Sequence, residues 1–257
     1  ATTGCSAIRH ALLIENHPAP EPELDDLGSD SHADHQVVTP VSGVHDPLAK
    51  VINFDQNFPD AVYASFDDQK MIQALVTKFR VVQRYVGSGH FNLLGVEEFF
   101  EATEKAGRIE AITSAEKKFM ETLFFREAKL LGFQGARVFK ALTDGINKRD
   151  AYKVPDTGHY LHRGASLETY LRIKKDVGRS LILTSGVRAL AKQFHLFLEK
   201  TIIANGNYSR ASRSLAPPGY SFHGLHDFDV GKIGFGPANF TDEFASTSEF
   251  QELTRLG

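Results

Sequence analysis

Ile72, Leu75, Val76, Phe79, Val82 and Val86 recur at three- and four-residue steps, which commits this stretch to a long amphipathic helix with one apolar face. Asp67 and Asp68 stand where an N-cap belongs, and Gly87 and Gly89 close the run. A second helical pattern covers residues 96–105. A third starts at Thr113, where Thr113-Ser-Ala-Glu116 has capping-box spacing. It turns Phe119, Met120, Leu123, Phe124 and Leu131 inward and stops at Gly132, and a shorter helix is expected over residues 135–142. The aromatic stripe reads as core packing, because no polar groups suited to a cofactor accompany it.

The character shifts after Pro155. Gly, His and Tyr cluster over residues 156–164, and residues 166–175 read as a helix. Residues 180–184 (SLILT) read as a short buried strand that runs into Ser185-Gly186-Val187-Arg188. A long helix follows, with Val187, Leu190, Ala191, Phe194, Leu198 and Ile202 on one face. Residues 205–221 read as a loop, 223–230 as a strand with a polar entrance and 242–256 as helix-like. Helices first and a strand-helix mixture afterwards predict an α+β fold rather than a doubly wound sheet. The expected parts are a tether over residues 1–50, a helical region over 51–155 and a small mixed domain over 156–257.

Composition narrows the function classes. The chain has 257 residues, 42% hydrophobic and 24% charged, which is ordinary for a globular protein. A net charge of -3 supplies no basic field for nucleic acid, and no apolar run is long enough for a membrane span. Pro18, Pro20 and Pro22 followed by Asp25, Asp26, Asp30 and Asp34 predict an extended or disordered acidic tether. His32 and His35 lie there without a rigid element to hold ligand geometry. Cys5 is the single cysteine, so no internal disulfide framework exists. The small residues leading into it look like the end of a bacterial lipoprotein signal. They predict a lipid anchor at Cys5 and a place in the cell envelope, periplasmic or secreted, with an incidental tail cysteine as the alternative.

The richest chemistry lies between Ala216 and Val230. A Pro217-Pro218-Gly219 turn presents Ser221 and His223, and Asp227 and Asp229 follow. A His and an Asp a few residues apart can give one zinc ion two ligands. Asp227 and Asp229 would share a face on a strand. A polar turn carrying surface charges is the alternative. Elsewhere, Gly87-Ser-Gly89 follows a helix and not a strand, so it is no dinucleotide fingerprint. Ser209, Ser212 and Ser214 with Arg210 and Arg213 read as a solvated loop. His159, His162 and His195 read as core or surface histidines.

Pro218-Gly219, Ser221, His223 and Asp229 together resemble the signature of the VanY-like zinc D-alanyl-D-alanine carboxypeptidases, relatives of the D-Ala-D-Ala dipeptidases. That signature is Ser-x-His-x-x-Gly-x-Ala-x-Asp after a Pro-Gly turn. A second family block, Ser-Gly-Tyr-Arg followed by Gln, is similar to Ser185-Gly186-Val187-Arg188 with Gln193 beyond it. The two blocks stand in the family order over residues 180–240, and the chain from about residue 53 is similar to a bacterial branch of such proteins.

The resemblance implies a D-Ala-D-Ala peptidase/Hedgehog-like zinc-peptidase domain that holds Zn2+ through His223 and Asp229. Arg188 would be catalytic and substrate-binding, meeting the substrate's C-terminal carboxylate or the charge developing on a carbonyl. Ser221 and Gln193 would contact or support the substrate. The implied reaction is zinc-dependent D,D-carboxypeptidase hydrolysis of the terminal D-Ala of peptidoglycan stem peptides. The alternative is a non-catalytic protein that binds those stem peptides.

The chain departs from the pattern in three places. Asp229 lies six residues after His223 where the family has seven, and Asp227 lies four after, so Asp229 is the expected ligand. His226 stands at the family's Gly position and is read as a harmless substitution, with an extra ligand or a substrate contact as the alternatives. The family's C-terminal Glu-x-Trp-His motif, source of the general base and third ligand, has no match, since Trp is absent and no His follows His226. The expectation is a domain that lacks its C-terminal strands.

Overall fold

The computed structural model describes residues 56–256; the tether, Cys5, His32 and His35 lie outside them. Helix α1 (Phe66–Val86) is capped by Ser65, whose hydroxyl accepts from the Asp68 N–H at 3.0 Å while the Asp68 carboxylate accepts from the Ser65 N–H. The cap therefore falls ahead of Asp67, because Ser65 and Asp68 satisfy two orphan donors reciprocally. A one-turn helix α2 (Ser88–Phe91) and helix α3 (Val96–Ala106) follow.

Helix α4 (Ser114–Phe125) opens with the expected Thr113–Glu116 box. It ends before Leu131, which lies in a separate 3-10 turn, Ala128–Leu131, closed by Gly132 at φ 83. No helix forms over 135–142. The Val138 and Phe139 N–H groups instead donate to the Gly219 carbonyl at 2.8 and 3.0 Å, so tertiary bonds replace helical ones.

Strands β1 (Ala151–Lys153) and β2 (Tyr160–His162) form an antiparallel hairpin in which Tyr152 faces Leu161. Helix α5 (Ala165–Val177) leads to strand β3 (Leu181–Ser185), and helix α6 (Leu190–Ile203) follows. The stretch expected to be a loop contains helix α7 (Tyr208–Ser214), capped by Asn207 and carrying Tyr208 and Ala211 into the core. Strand β4 (Asp229–Lys232) pairs antiparallel with β3. The expected strand over 223–230 is realised only at its end, since Phe222–Gly224 is a 3-10 turn. The helix-like C-terminal stretch divides into a 3-10 turn, Asp242–Ser246, and helix α8 (Ser248–Leu256).

The main core joins α1, α3 and α4 to α6 and α7. Phe79 stacks on Phe99 with ring centroids 4.0 Å apart, and Phe194 and Phe197 of α6 are fully buried in the same cluster. Each such aromatic contributes about 1.5–3 kcal/mol by leaving water. The residues just ahead of α6 are thereby held on a rigid support. A smaller core of Val154, Leu161, Tyr170 and Leu183 binds the hairpin and α5 to β3. The architecture is α+β, a helical region followed by small antiparallel sheets. No helix among the described residues is long and apolar enough to cross a membrane.

Candidate metal and substrate cleft

The β3–β4 pair carries a bulge between Leu183 and Ser185, so that Ser185 comes opposite Asp229. Bulges re-aim side chains, and this one turns Ser185 and Asp229 toward the chain that enters α6. Arg188 stands there, one residue before the Ala189 N-cap. Its Nε and Nη2 donate to Ser185 Oγ at 2.8 and 2.6 Å, and Nη2 lies 3.1 Å from Asp229 Oδ2. A cation ahead of a helix N-terminus is disfavoured by the helix dipole; the Asp229 carboxylate offsets that cost.

His223 approaches from the 3-10 turn. Its carbonyl accepts from the Arg188 N–H at 3.0 Å, and its Nδ1 lies 3.1 Å from the Gly186 carbonyl. Since a carbonyl only accepts, that contact puts a proton on Nδ1 and leaves Nε2 facing Asp229, where it donates when it carries a proton and offers its lone pair to a metal when it does not. The separation from His223 Nε2 to Asp229 Oδ2 is 3.3 Å. Burial opposes ionisation of Asp229, but the neighbouring charges of His223, Arg188 and His159 hold its carboxyl below the ordinary carboxylate range. A neutral-donor imidazole beside a carboxylate is the donor set that zinc takes. With metal-ligand bonds near 2.0–2.1 Å and tetrahedral angles, two ligands of one ion stand about 3.3 Å apart. The two residues fit the metal on geometry and on chemistry. Among the described residues no group of three His, Cys, Asp or Glu that could hold a metal converges.

A cavity of about 60 Å³ opens beside the pair, room for several waters, lined by Arg188, His223, Asp229, Ser221, Phe133 and Phe228 among others. Ser221 is buried in its wall. Gln193 also reaches the wall, but its amide is engaged on both sides: Nε2 donates to the Arg188 carbonyl at 2.8 Å and Oε1 accepts from the Gly219 N–H at 2.9 Å. It positions Arg188 and the turn. Asp227 is exposed and lies ahead of β4, so the two aspartates do not share a strand face.

Residues 160–257 match the family model of VanY, D-alanyl-D-alanine carboxypeptidase. The match covers under half of the chain and marks this stretch as similar to that family. It contains every residue from Ser185 to Asp229 described above, whereas His159 and the helices α1 to α4 lie outside it. No curated protein and no solved structure matches the chain.

Sequence patterns brought Arg188, His223 and Asp229 to one site but missed what Ser185 does there. Its place in the Ser-Gly-Val-Arg block was the available signal, because a hydroxyl three residues before a buried guanidinium is in reach to accept from it. Asn92, whose carbonyl accepts from the Ala189 N–H at 2.8 Å and whose amide lies 3.5 Å from His159 Nδ1, carries no such signal, being far away in sequence.

Proposed function

We propose that the chain is a zinc-dependent D,D-carboxypeptidase that removes the terminal D-Ala from peptidoglycan stem peptides, at the bacterial cell envelope and with Cys5 as a lipid anchor. The observation that carries this reading is the approach of His223 Nε2 to Asp229 Oδ2, 3.3 Å apart, beside Arg188 in one cleft of the stretch similar to VanY.

His223 and Asp229 would hold the ion. When bound, zinc supplies a Lewis acid for the scissile carbonyl and a water of lowered pKa. Arg188 binds the substrate's terminal carboxylate or takes up charge on the carbonyl oxygen; its planar fork of donors suits either task. The Ser221 hydroxyl, in the cavity wall, hydrogen-bonds the substrate terminus. Gln193 keeps Arg188 and the Gly219 turn in register. Buried on a rigid helix entrance, Arg188 meets the substrate with little reorganisation, which is where such sites gain most of their rate.

The test is release of free D-Ala from a muropeptide pentapeptide by zinc-loaded protein. The expected result is release that disappears in His223→Ala and Arg188→Ala. Zinc-loaded protein that sediments with sacculi but leaves the pentapeptide intact would overturn the hydrolase reading in favour of stem-peptide binding.

A further inference from the structure

We propose that His162 and His226 form a second metal site, separate from the His223–Asp229 pair, for a late first-row divalent ion such as copper or zinc. His162 ends β2, and His226 lies in the loop between the Phe222–Gly224 turn and β4. Their rings stand with centroids 5.3 Å apart and planes at 72°. Metal–nitrogen bonds near 2.0–2.1 Å and tetrahedral angles put the centroids of two imidazoles on one ion about 5 Å apart. The observed separation matches that spacing, which edge-to-face ring packing also gives.

The protonation pattern agrees. Among the described residues the buried His162 Nε2 has no hydrogen-bond partner, while the ring lies within hydrogen-bonding reach of the Gly224 backbone. That contact falls to Nδ1, and a carbonyl partner there leaves a lone pair on Nε2 that no described residue takes. Burial and the neighbouring His226 keep the ring neutral, the ligand form, and Asp150 is the carboxylate close enough to offset an incoming positive charge. A buried polar atom without a partner is uncommon and calls for a reason. An ion supplies one.

His226 is fixed through its backbone rather than its ring. Its N–H donates to the Phe222 carbonyl at 3.2 Å, and its carbonyl accepts from Ser166 Oγ at 2.8 Å. The ring itself is exposed, which leaves an entry path and open positions for water. Imidazole ligands suit copper, zinc and nickel. An ion held here would join the β1–β2 hairpin to the loop whose next residues, Asp227 and Phe228, line the cleft. The site does not depend on the proposed hydrolase activity.

The test is Cu2+ titration of the full chain, followed by electron paramagnetic resonance, on the wild type and on His226→Gly, His162→Phe and His223→Ala. The tail histidines are common to all four proteins and cancel in the comparison. The expected result is a two-imidazole hyperfine component amounting to one equivalent, absent from His226→Gly and His162→Phe and present in His223→Ala. His226 is exposed, so its replacement leaves the fold intact even if His162→Phe does not fold. Equal uptake by the wild type and His226→Gly would overturn the site. Loss of the same signal in His223→Ala would also overturn it, by assigning the histidines to a single centre.

Discussion

Gln193 ties Arg188 to the Pro-Pro-Gly turn, donating to the Arg188 carbonyl at 2.8 Å and accepting from the Gly219 N–H at 2.9 Å. Both bonds are buried, and the residue itself is only 3% exposed. Gly219 is gripped from its other side as well, by the Val138 and Phe139 N–H groups. One amide thus joins the turn to the backbone of Arg188, and the turn in turn holds residues 138 and 139.

Replacing that amide should be costly. Gln193→Leu leaves a buried carbonyl and a buried N–H short of partners, each worth about 1–3 kcal/mol when unsatisfied. The expected loss is about 3 kcal/mol in urea denaturation. Gln193→Glu keeps the acceptor toward Gly219 but not the donor toward Arg188, and should not restore stability. A Gln193→Leu midpoint equal to the wild type would show that the two bonds contribute nothing.

Gly186 allows β2 to approach the site. A Cβ there would lie 2.0 Å from the Tyr160 carbonyl oxygen, a backbone atom that cannot rotate away. The next residue, Val187, donates its N–H to that same oxygen at 2.8 Å. Gly186→Ala must push the hairpin off, at a cost of about 3 kcal/mol, or a Tm lower by about 6–12 °C for a chain of this size. The Gly186 carbonyl orients His223, so zinc affinity should also fall about 10-fold or more. Calorimetry and a zinc titration on the variant measure both.

Long periodic helices and the two chemical blocks were legible before any coordinates, because each is a local pattern. The apolar face of α1 and the Thr113–Glu116 box needed only spacing. The misses lie where tertiary contacts decide. Helix α7 is short and rich in Ser and Arg, and is held by burial of Tyr208 and Ala211 and by the bond from Ser212 Oγ to the Leu131 carbonyl. Residues 135–142 have helical composition, yet their N–H groups reach Gly219 across the fold. At the site, Arg188, His223 and Asp229 were readable from their blocks. The bulge that sets Ser185 opposite Asp229 depends on strand register, which the spacing of residues does not carry.

His195 should make the fold sensitive to acid. Its ring lies between Phe79 and Phe91, with centroids 5.6 Å from each, and neither ring nitrogen has a hydrogen-bond partner among the described residues. Glu199 lies 3.7 Å from Nε2 but is already engaged by Arg80. Burial, followed by the charges of Lys192 and Arg80, lowers the pKa from 6.5 to about 3. Between those values the unfolded chain binds the proton and the folded chain does not, so stability falls as pH drops through this window. The slope is up to about 1.4 kcal/mol per pH unit, or about 2 kcal/mol lost from this group near pH 5. Urea midpoints across the window should show the decline in the wild type and lack this component in His195→Phe. Parallel declines in the two proteins would remove His195 as the cause.

Asp229 and Asp227 should separate cleanly. Asp229 carries the short contacts to both His223 and Arg188, whereas Asp227 is exposed and makes neither. Asp229→Ala should therefore abolish zinc binding at the His223 site, leaving one equivalent fewer than the wild type holds. It should also lower stability by about 3 kcal/mol, because it strips the buried guanidinium of its carboxylate. Asp227→Ala should retain zinc and remain within about 0.5 kcal/mol of the wild type. Elemental analysis of dialysed protein with thermal denaturation of each variant decides the matter. Should Asp227→Ala lose zinc while Asp229→Ala keeps it, the loop must rearrange on binding metal, and Asp229 would be left as the structural partner of Arg188 alone.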